Sequence, residues 1–366
     1  MRQPDLPGGG AGADPPASAA GPSDSEPTMS GQTQATLAAA VASLGAFLFG
    51  LDIGYIAPIL ECAAFKRDVA HLPDWNDPHS KIPSGIVGFI VGIFSLGCIV
   101  TSMPVVSSYF LDTWGRRSSI IFGTLIFLVG CVIQARAMAI GTMYVGRMVT
   151  GGAVGLLSSV VPLYQAEMAS PSMRGALTSL YQLMITAGIF VAAFVDSVLV
   201  FREGGWRFAI WLQIIPAGFI IVAMPFLPRS PRWLVQQGRL NEAKATLLRL
   251  RKEAEAEQEM NEIVAEYEES KRLGEPRWSE VFTGRVGRLV LIGASLQLLQ
   301  QLVGMNAFMY FGPRIFGSFG LKENRFQTIN NAVNFVSTLP ALYLADRSGR
   351  TILMIVGAAG MAITCT

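Results

Sequence analysis

Charge and histidine are both scarce in this sequence of 366 residues. Asp, Glu, Lys and Arg make up 15% of it, whereas soluble domains carry roughly 25%. The two histidines, His71 and His79, lie in a proline-rich loop with no cysteine beside them, which argues against a zinc site. No G-x-x-x-x-G-K-S/T segment occurs, which argues against an ATP-driven pump. We therefore expect neither an enzyme nor a bound cofactor or metal.

Cysteine and net charge are low as well. The formal net charge of +2 offers no basic surface for a nucleic acid partner. The few cysteines are scattered, three of them in apolar runs, and are best interpreted as small buried hydrophobic residues. They are Cys62, Cys98, Cys131 and Cys365.

Apolar runs, by contrast, recur along the whole chain, and the mean hydropathy is +0.43. A run of about 17–25 residues can cross a bilayer as a helix, so the sequence predicts an all-α integral membrane protein. A ninth run begins at Ile352 and is too short to cross by Thr366, so we expect a C-terminally truncated chain with eight full spans and a stub. The eight predicted spans are Leu37–Leu60, Ile86–Phe110, Ser118–Ala139, Tyr144–Tyr164, Leu177–Val200, Phe208–Leu227, Leu289–Phe311 and Ile329–Ala345.

Composition divides the chain into four regions. Residues 1–35 are rich in Gly, Ala, Pro and Ser and are expected to form a disordered tail. Residues 36–228 hold the first six spans, and residues 289–366 begin a second, incomplete bundle. Between them, residues 229–288 are rich in helix-forming and charged residues and predict an intracellular helical segment. Positively charged residues by themselves leave the sidedness open.

One short motif occurs twice. Asp112-Thr-Trp-Gly-Arg-Arg117 follows the second span, and Asp346-Arg-Ser-Gly-Arg-Thr351 follows the eighth. Six spans separate the two positions, which indicates two related six-helix halves. Repeated halves are a transporter architecture, with the substrate bound between them near the bilayer midplane.

With several further motifs, this repeat resembles the sugar porter family of the major facilitator superfamily. The resemblance runs from about Phe47 to Arg350 and implies the major facilitator fold, with a six-helix N-terminal bundle and an incomplete C-terminal one. It also implies sugar transport by alternating access. The other motifs are Phe49-Gly-Leu-Asp52, Gly146-Arg147, Pro162-Leu-Tyr-Gln-Ala-Glu167, Arg174-Gly175, Pro228-Arg-Ser-Pro-Arg-Trp-Leu234 and Gln300-Gln-Leu-Val-Gly-Met-Asn306.

The resemblance also implies a cytosolic gate of charged loop residues. Thr113 and Thr351 stand where the family has Arg, and Arg229 stands where it has Glu, so part of the expected charge network is thinned or inverted. There are three further departures from the family pattern. Leu51 stands where the family has Tyr, Ser108 stands where it has Gly, and the proline after Glu167 comes one residue later than in the family, at Pro171. The implied gate residues are Asp112, Gly115, Arg116, Arg117, Glu167, Arg174, Arg232, Asp346, Arg347 and Arg350.

Amide side chains mark one face of the seventh span. Gln297, Gln300, Gln301 and Gly304 fall at helical spacing. Such amides either hold helices together, at about 0.6–2 kcal/mol per contact, or line a polar cavity where they bind hydroxyl groups, and three on one face favour the cavity. Asn306 lies about 140° round a continuous helix from Gln301, so both face one cavity only if the helix breaks near Gly304.

The resemblance assigns roles to these amides and to residues elsewhere. It makes Gln300, Gln301 and Asn306 sugar ligands, together with Gln182 in the fifth span and Asn334 in the eighth. Asn330 and Asn331 recur with Asn334 at helical spacing, and a position at the outer membrane interface is an ordinary explanation for these two. The resemblance makes Tyr310 and Phe311 outer-gate aromatics able to stack on or cover a sugar, with Tyr310 counted among the substrate-binding residues, although an interfacial aromatic belt explains them equally well.

Asp52 and Arg147 are ionisable residues placed inside the first and fourth spans. Charges there are costly, so a function is the default hypothesis. The family associates this pair with proton symport, although some passive carriers keep the acid. We therefore expect a hexose-type sugar symporter with the proton as coupling ion, located in the plasma membrane. A passive facilitator and a non-transporting fragment or sensor remain the alternatives, and the identity of the sugar and the oligomeric state stay open.

Overall fold

A computed structural model describes residues 31–77, 80–170, 173–200, 202–274, 278–304, 306, 309–312 and 323–365. These residues form helices and no strands, as expected of an all-α membrane protein. Six segments in the described part are long and apolar enough to cross a membrane, and they match the first six predicted spans. They are Gly31–Glu61, Ser84–Ser102, Gly115–Ala135, Ile140–Met168, Gly175–Leu199 and Gly205–Phe226.

The first span is helix α1, Gly31–Glu61, followed by the short helix α2, Ala63–Asp68. Because α1 begins at Gly31, residues 31–35 are helical and do not belong to the predicted tail. The remainder of that tail lies outside the described residues.

The second and sixth spans are each interrupted. Helix α3, Ser84–Ser102, ends at the extended residue Met103, and α4, Pro104–Thr113, begins at once. Pro104 lacks the amide hydrogen that a continuous helix needs there but suits the first position of a new one. The sixth span consists of α8, Gly205–Leu212, then α9, Ile214–Ala223, with a 3-10 turn at Met224–Phe226, and the interruption falls at Gln213.

The remaining spans of the first half are continuous helices. They are α5, Gly115–Ala135; α6, Ile140–Met168; and α7, Arg174–Leu199. Glycines allow the helices of this half to pack closely: Gly50 of α1 meets Gly188 of α7, where an added Cβ would collide with the facing backbone. Small residues serve this purpose in membrane bundles, where no hydrophobic drive brings helices together.

The predicted intracellular segment is helical. It contains α10, Pro231–Gln236; α11, Leu240–Leu250; α12, Glu253–Leu273; and α13, Trp278–Val281. Leu234, Leu247 and Ile263 belong to its own small apolar core. Arg251 attaches it to the bundle by donating to the carbonyl of Met168, at the end of α6, over 3.2 Å. We call this end of the bundle the gate end.

The second half begins with α14, Gly284–Leu302, and continues with α15, Glu323–Ser348, and α16, Arg350–Cys365. Helix α14 starts inside the segment predicted to be intracellular. Neither α14 nor α15 is among the helices apolar enough to count as a membrane span, because α14 carries Arg285, Arg288 and several Gln residues. Their crossing of the membrane stays a prediction. Helix α15 packs against α7, where Phe190 and Phe335 stack at 5.7 Å.

Candidate functional site

Asp52 and Arg147 form an ion pair inside the first-half bundle. Arg147 Nη1 lies 2.5 Å from Asp52 Oδ2, and both side chains are buried. The Arg147 guanidinium also lies over the Phe94 ring, at 4.3 Å from its centroid. The two charges that the sequence places inside apolar runs thus lie together, and each offsets part of the other's cost of burial.

The pair is only partly satisfied. Asp52 Oδ1, Arg147 Nε and Arg147 Nη2 are buried and have no hydrogen-bond partner among the described residues. A buried polar atom without a partner costs free energy and is uncommon in folded proteins. The free carboxylate oxygen can accept a proton, and the free guanidinium nitrogens can donate to a ligand.

The outer part of the seventh span lies next to this pair. Tyr310 packs against the first-half core and interacts electrostatically with Asp52 and Arg147. Met309 is buried against Ala46 and two isoleucines of α7. Tyr310 therefore contacts protein close to the ion pair, a position that suits an outer-gate aromatic. Its role in gating stays a prediction.

The seventh span breaks where the amide pattern requires. Helix α14 ends at Leu302, and Gly304 has φ +77°, a left-handed conformation that glycine adopts readily. The break turns Asn306 back, so that its Nδ2 donates to Gln301 Oε1 over 2.7 Å. The two predicted ligands thus lie side by side and present their remaining amide groups together.

This amide face is open in the described part of the chain. Gln297, Gln300, Gln301 and Asn306 are exposed, and no residue of α14 is buried. Gln182 on α7 is exposed too. The predicted sugar ligands therefore do not line an enclosed cavity here.

The asparagines of α15 differ from one another in burial. Asn334, the predicted ligand, is half-buried. Asn331, for which the outer interface was an ordinary location, is 1% exposed, and its Oδ1 has no partner among the described residues. It therefore faces protein, because α15 packs against α7.

A buried ion pair stands at the gate end. Arg116 donates to Glu167 Oε1 from both Nε, at 3.1 Å, and Nη2, at 2.9 Å, and the two side chains are each 6% exposed. Arg116 Nη1 also donates to the carbonyl of Leu111 over 3.2 Å. Because these bonds join the turn between the second and third spans to the end of α6, they bring two predicted gate loops together.

The backbone of the same turn binds the intracellular segment. Trp233 Nε1 and Gln237 Nε2 both donate to the carbonyl of Asp112, at 3.0 and 2.9 Å. Gly115 has φ +77° and lies under the Trp233 ring. Asp112 thus contacts this segment through its backbone carbonyl, while the residue itself is exposed, and its role in a gate stays a prediction.

The other predicted gate residues have separate contacts. Arg117 Nη1 donates to the Leu227 carbonyl over 2.9 Å, and Arg232 forms an exposed ion pair with Glu266 at 3.0 Å. Arg229, the charge reversal, lies over Trp233 at 5.7 Å. The side chains of Arg174, Asp346, Arg347 and Arg350 lie outside the described part.

A cavity of about 1190 Å³ opens at the gate end, between the start of α1, the end of the sixth span and α11. Arg117, Arg229, Arg249 and Lys252 line it, and none of the predicted sugar ligands does. It is therefore distinct from the sugar site that the sequence predicts.

Sequence reasoning missed one buried carboxylate of the membrane-spanning helices. Asp196 on α7 is 1% exposed. It lies near the end of the predicted fifth span, where a carboxylate usually reaches the interface. The available signal was an acidic residue within an otherwise apolar run, which is itself a reason to suspect a function.

Gly115→Ala is expected to lower the free energy of unfolding by at least about 1–2 kcal/mol, the cost of a left-handed conformation for a residue with a Cβ. The new Cβ would also lie 2.7 Å from the Trp233 ring. Gly88→Ala in α3 is the matched control, because nothing lies within 4 Å of its Cβ position and alanine favours helix. Denaturant unfolding in detergent measures both. Equal stability of the two variants would contradict the role of Gly115.

Comparison with known proteins decides the family. The family profile described as sugar (and other) transporter matches residues 38–366. The chain belongs to this family. The low-affinity glucose transporter HXT3 of Saccharomyces cerevisiae is 34% identical over 332 residues, which cover 87% of this chain and 57% of HXT3. The arabinose-proton symporter of Escherichia coli is 36% identical over 334 residues, covering 90% of this chain and 66% of that protein. This chain of the sugar transporter family thus spans about three fifths of the length of these relatives.

Solved structures confirm the major facilitator fold. The proton:xylose symporter XylE bound to 6-bromo-6-deoxy-D-glucose aligns with a TM-score of 0.77 at 27% identity, covering 91% of this chain and 74% of XylE. A partially occluded inward open conformation of XylE from E. coli aligns with a TM-score of 0.73 at 26% identity, covering 91% and 78%. The family and the apolar helices make this chain a multi-pass integral membrane protein.

Proposed function

We propose that this chain carries a hexose-type sugar across the plasma membrane by alternating access, coupled to the movement of a proton. The observation that carries the proposal is the buried Asp52–Arg147 pair beside Tyr310. Asp52 is a titratable group inside the bundle, and it lies next to the part of the seventh span that meets the first half. In this position proton binding and sugar binding can influence one another. The family membership supports sugar as the cargo.

Substrate recognition falls to the amides at the break in the seventh span. Gln301 and Asn306 share one hydrogen bond, which leaves both NH₂ hydrogens of Gln301, one NH₂ hydrogen of Asn306 and the Asn306 carbonyl for a ligand. A sugar hydroxyl both donates and accepts, so such a pair binds it through complementary bonds. Gln300 and Gln182 extend this recognition from the same span and from α7.

We assign the switch between the two states of alternating access to the gate end. The Arg116–Glu167 pair and the contacts of the Asp112 carbonyl tie the loops of the first half to α10. Ion pairs that form in one state and open in the other give each state comparable stability, as alternating access requires.

A passive facilitator is the second candidate. It is favoured by the relatives themselves: the names of the yeast glucose transporters mention no proton, whereas those of the bacterial arabinose and galactose carriers do. The two candidates share the sugar site and differ in whether Asp52 titrates during the cycle.

Gln301→Ala and Asn306→Ala are each expected to weaken sugar binding several-fold to about 100-fold, because a lost hydrogen bond costs about 0.5–1.5 kcal/mol and an orphaned partner costs more. Binding is measured with labelled D-glucose, D-xylose, L-arabinose and D-galactose on purified protein. Gln258→Ala on α12 is the control, since that amide is exposed and bonds only Glu262 within the described part. Wild-type affinity in both test variants would assign the amides to helix packing.

A further inference from the structure

Asp196 is the most isolated charge in the described part of the chain. It lies on α7, three residues before that helix ends at Leu199, at the end of the bundle opposite α10–α12. Both carboxylate oxygens are buried and have no hydrogen-bond partner among the described residues. Asp52, by comparison, has Arg147. An ionised carboxylate in such a place retains the full cost of losing its water.

Two further unsatisfied polar groups lie on the path from Asp196 to the ion pair. The Tyr55 hydroxyl is buried and interacts electrostatically with both Asp196 and Asp52. Tyr55 is three residues beyond Asp52 on α1, about 4.5 Å further towards the same end of the bundle. The Gln213 amide, at the break between α8 and α9, lies beside the Tyr55 hydroxyl and interacts with it, although no hydrogen bond of full geometry joins the two side chains in the described part. Buried polar groups with incomplete hydrogen bonding call for an explanation, and they do so most of all at Asp196, where both carboxylate oxygens lack a partner.

Among the residues whose side chains are described, no cation pairs with Asp196. On α7 and α15 it shares a narrow crevice with Ser197, Gln327 and Thr328, and Gln327 Oε1 is also unsatisfied. The titratable groups that face it are Tyr55 and the Cys62 thiol at the end of α1. Two arginines of the described part are engaged elsewhere. They are Arg147, paired with Asp52, and Arg207, paired with Asp68.

We propose that Asp196, Tyr55 and Gln213 form a second proton-binding site, on the side of the Asp52–Arg147 pair that faces away from the gate end. The proton binds to the Asp196 carboxylate and converts it to a neutral acid, which removes the cost of an isolated buried charge. A metal ion is a poor fit, because the described residues contain no group of three His, Cys, Asp or Glu side chains that would hold one.

The position of Tyr55 gives the site a direction. Its hydroxyl both donates and accepts and interacts electrostatically with Asp196 and Asp52, but it is hydrogen-bonded to neither carboxylate in the described part. The relay therefore requires a rearrangement that brings the Tyr55 hydroxyl within hydrogen-bond distance of both, after which the Tyr55 oxygen takes the proton of Asp196 as its own proton passes to Asp52 Oδ1. One proton then moves from Asp196 to Asp52, the tyrosine is unchanged, and Asp196 is again a carboxylate. The relay to Asp52 rests on the proposed symport, whereas proton binding at Asp196 does not.

Infrared difference spectroscopy of the chain in lipid nanodiscs tests proton binding directly. We expect a carboxylic acid carbonyl band from a buried protonated group at neutral pH, which Asp196→Asn removes. Asp68→Asn is the control and leaves the band unchanged. Tyr55→Phe is expected to shift the band without removing it, because it changes a neighbour of the acid and not the acid itself.

The outcomes separate this site from the proposed function. A band that persists in Asp196→Asn, or a site that responds to sodium in place of pH, overturns the proposal. If Asp196→Asn does not fold, Asp196→Glu decides, since it must keep an acid band at a shifted frequency. Sugar accumulation is measured separately. If the wild type does not accumulate sugar, symport is refuted, and the infrared result still decides by itself whether Asp196 binds a proton. An unchanged external pH profile of uptake in Tyr55→Phe refutes the relay alone.

Discussion

Asp52→Asn is expected to abolish the accumulation of sugar against its gradient while sugar exchange down the gradient continues. The asparagine keeps the size of the side chain and a hydrogen-bonding oxygen for Arg147 but cannot bind a proton in exchange. A carrier that couples the two fluxes must protonate a site within the membrane, and Asp52 has a free oxygen for that purpose. Because Arg147 loses its counter-ion, a lower yield of folded protein is also expected.

Accumulation and sugar-induced alkalinisation of the medium are measured together in proteoliposomes, with Asp68→Asn as the control. Asp68 lies outside the spans, between Arg67 and Arg207. Burial alone would raise the pKa of Asp68, but the hydrogen bonds and charges of the two arginines outweigh it and hold the pKa below its usual range. Its contribution to stability is therefore present above its unfolded-state pKa and is lost only as the pH falls through the lower folded value. Because the low pKa keeps Asp68 ionised at neutral or mildly acidic pH, Asp68 does not bind and release a proton during transport. We therefore expect Asp68→Asn to keep sugar accumulation.

Two results would assign Asp52 differently. If the wild type shows neither accumulation nor proton movement, Asp52 is a structural partner of Arg147 and the molecule is a passive facilitator. If the wild type accumulates sugar and Asp52→Asn does so equally, the coupling group lies elsewhere, with Asp196 the next carboxylate to examine.

The helical class and the first six spans could be predicted from the sequence because apolar length alone decides them. The interruptions were harder to predict. A run such as Ile86–Phe110 is uniformly apolar, and its break depends on one local feature, the extended Met103 before Pro104. For the break after α14 the amide spacing gave a geometric condition, that Gln301 and Asn306 face one cavity only if the helix breaks near Gly304. The structure has a left-handed Gly304 and a Gln301–Asn306 bond there, but the shared cavity stays a prediction.

Burial within a helix was the part that the sequence could not give. Asp52 and Arg147 were recognised because they lie deep in apolar runs, where only pairing makes charges tolerable. Asp196 and Asn331 lie near span ends, where a polar side chain is either exposed at the interface or buried against a neighbour. Their burial follows from the packing of α7 against α1 and α15, which involves residues far apart in the sequence.

The gate-end ion pair is expected to dominate the stability of the loops. Arg116→Ala leaves the Glu167 carboxylate buried without its partner, and breaking a buried pair in this way costs about 3–5 kcal/mol. Arg232→Ala is a matched control, because Arg232 meets Glu266 at 3.0 Å, close to the 2.9 Å of the buried pair, but with side chains 42% and 62% exposed. Exposed pairs contribute about 0–1 kcal/mol.

Denaturant titration of both variants in detergent gives their two free energies of unfolding. Arg116→Ala should lose several times more free energy of unfolding than Arg232→Ala. The double variant Arg116→Ala, Glu167→Ala should recover part of that loss, because the orphaned carboxylate is gone. Recovery would assign the cost to the buried charge and not to the lost packing of the arginine. Equal losses in the two single variants would mean that Glu167 reaches water once Arg116 is removed, so the gate end would already be hydrated.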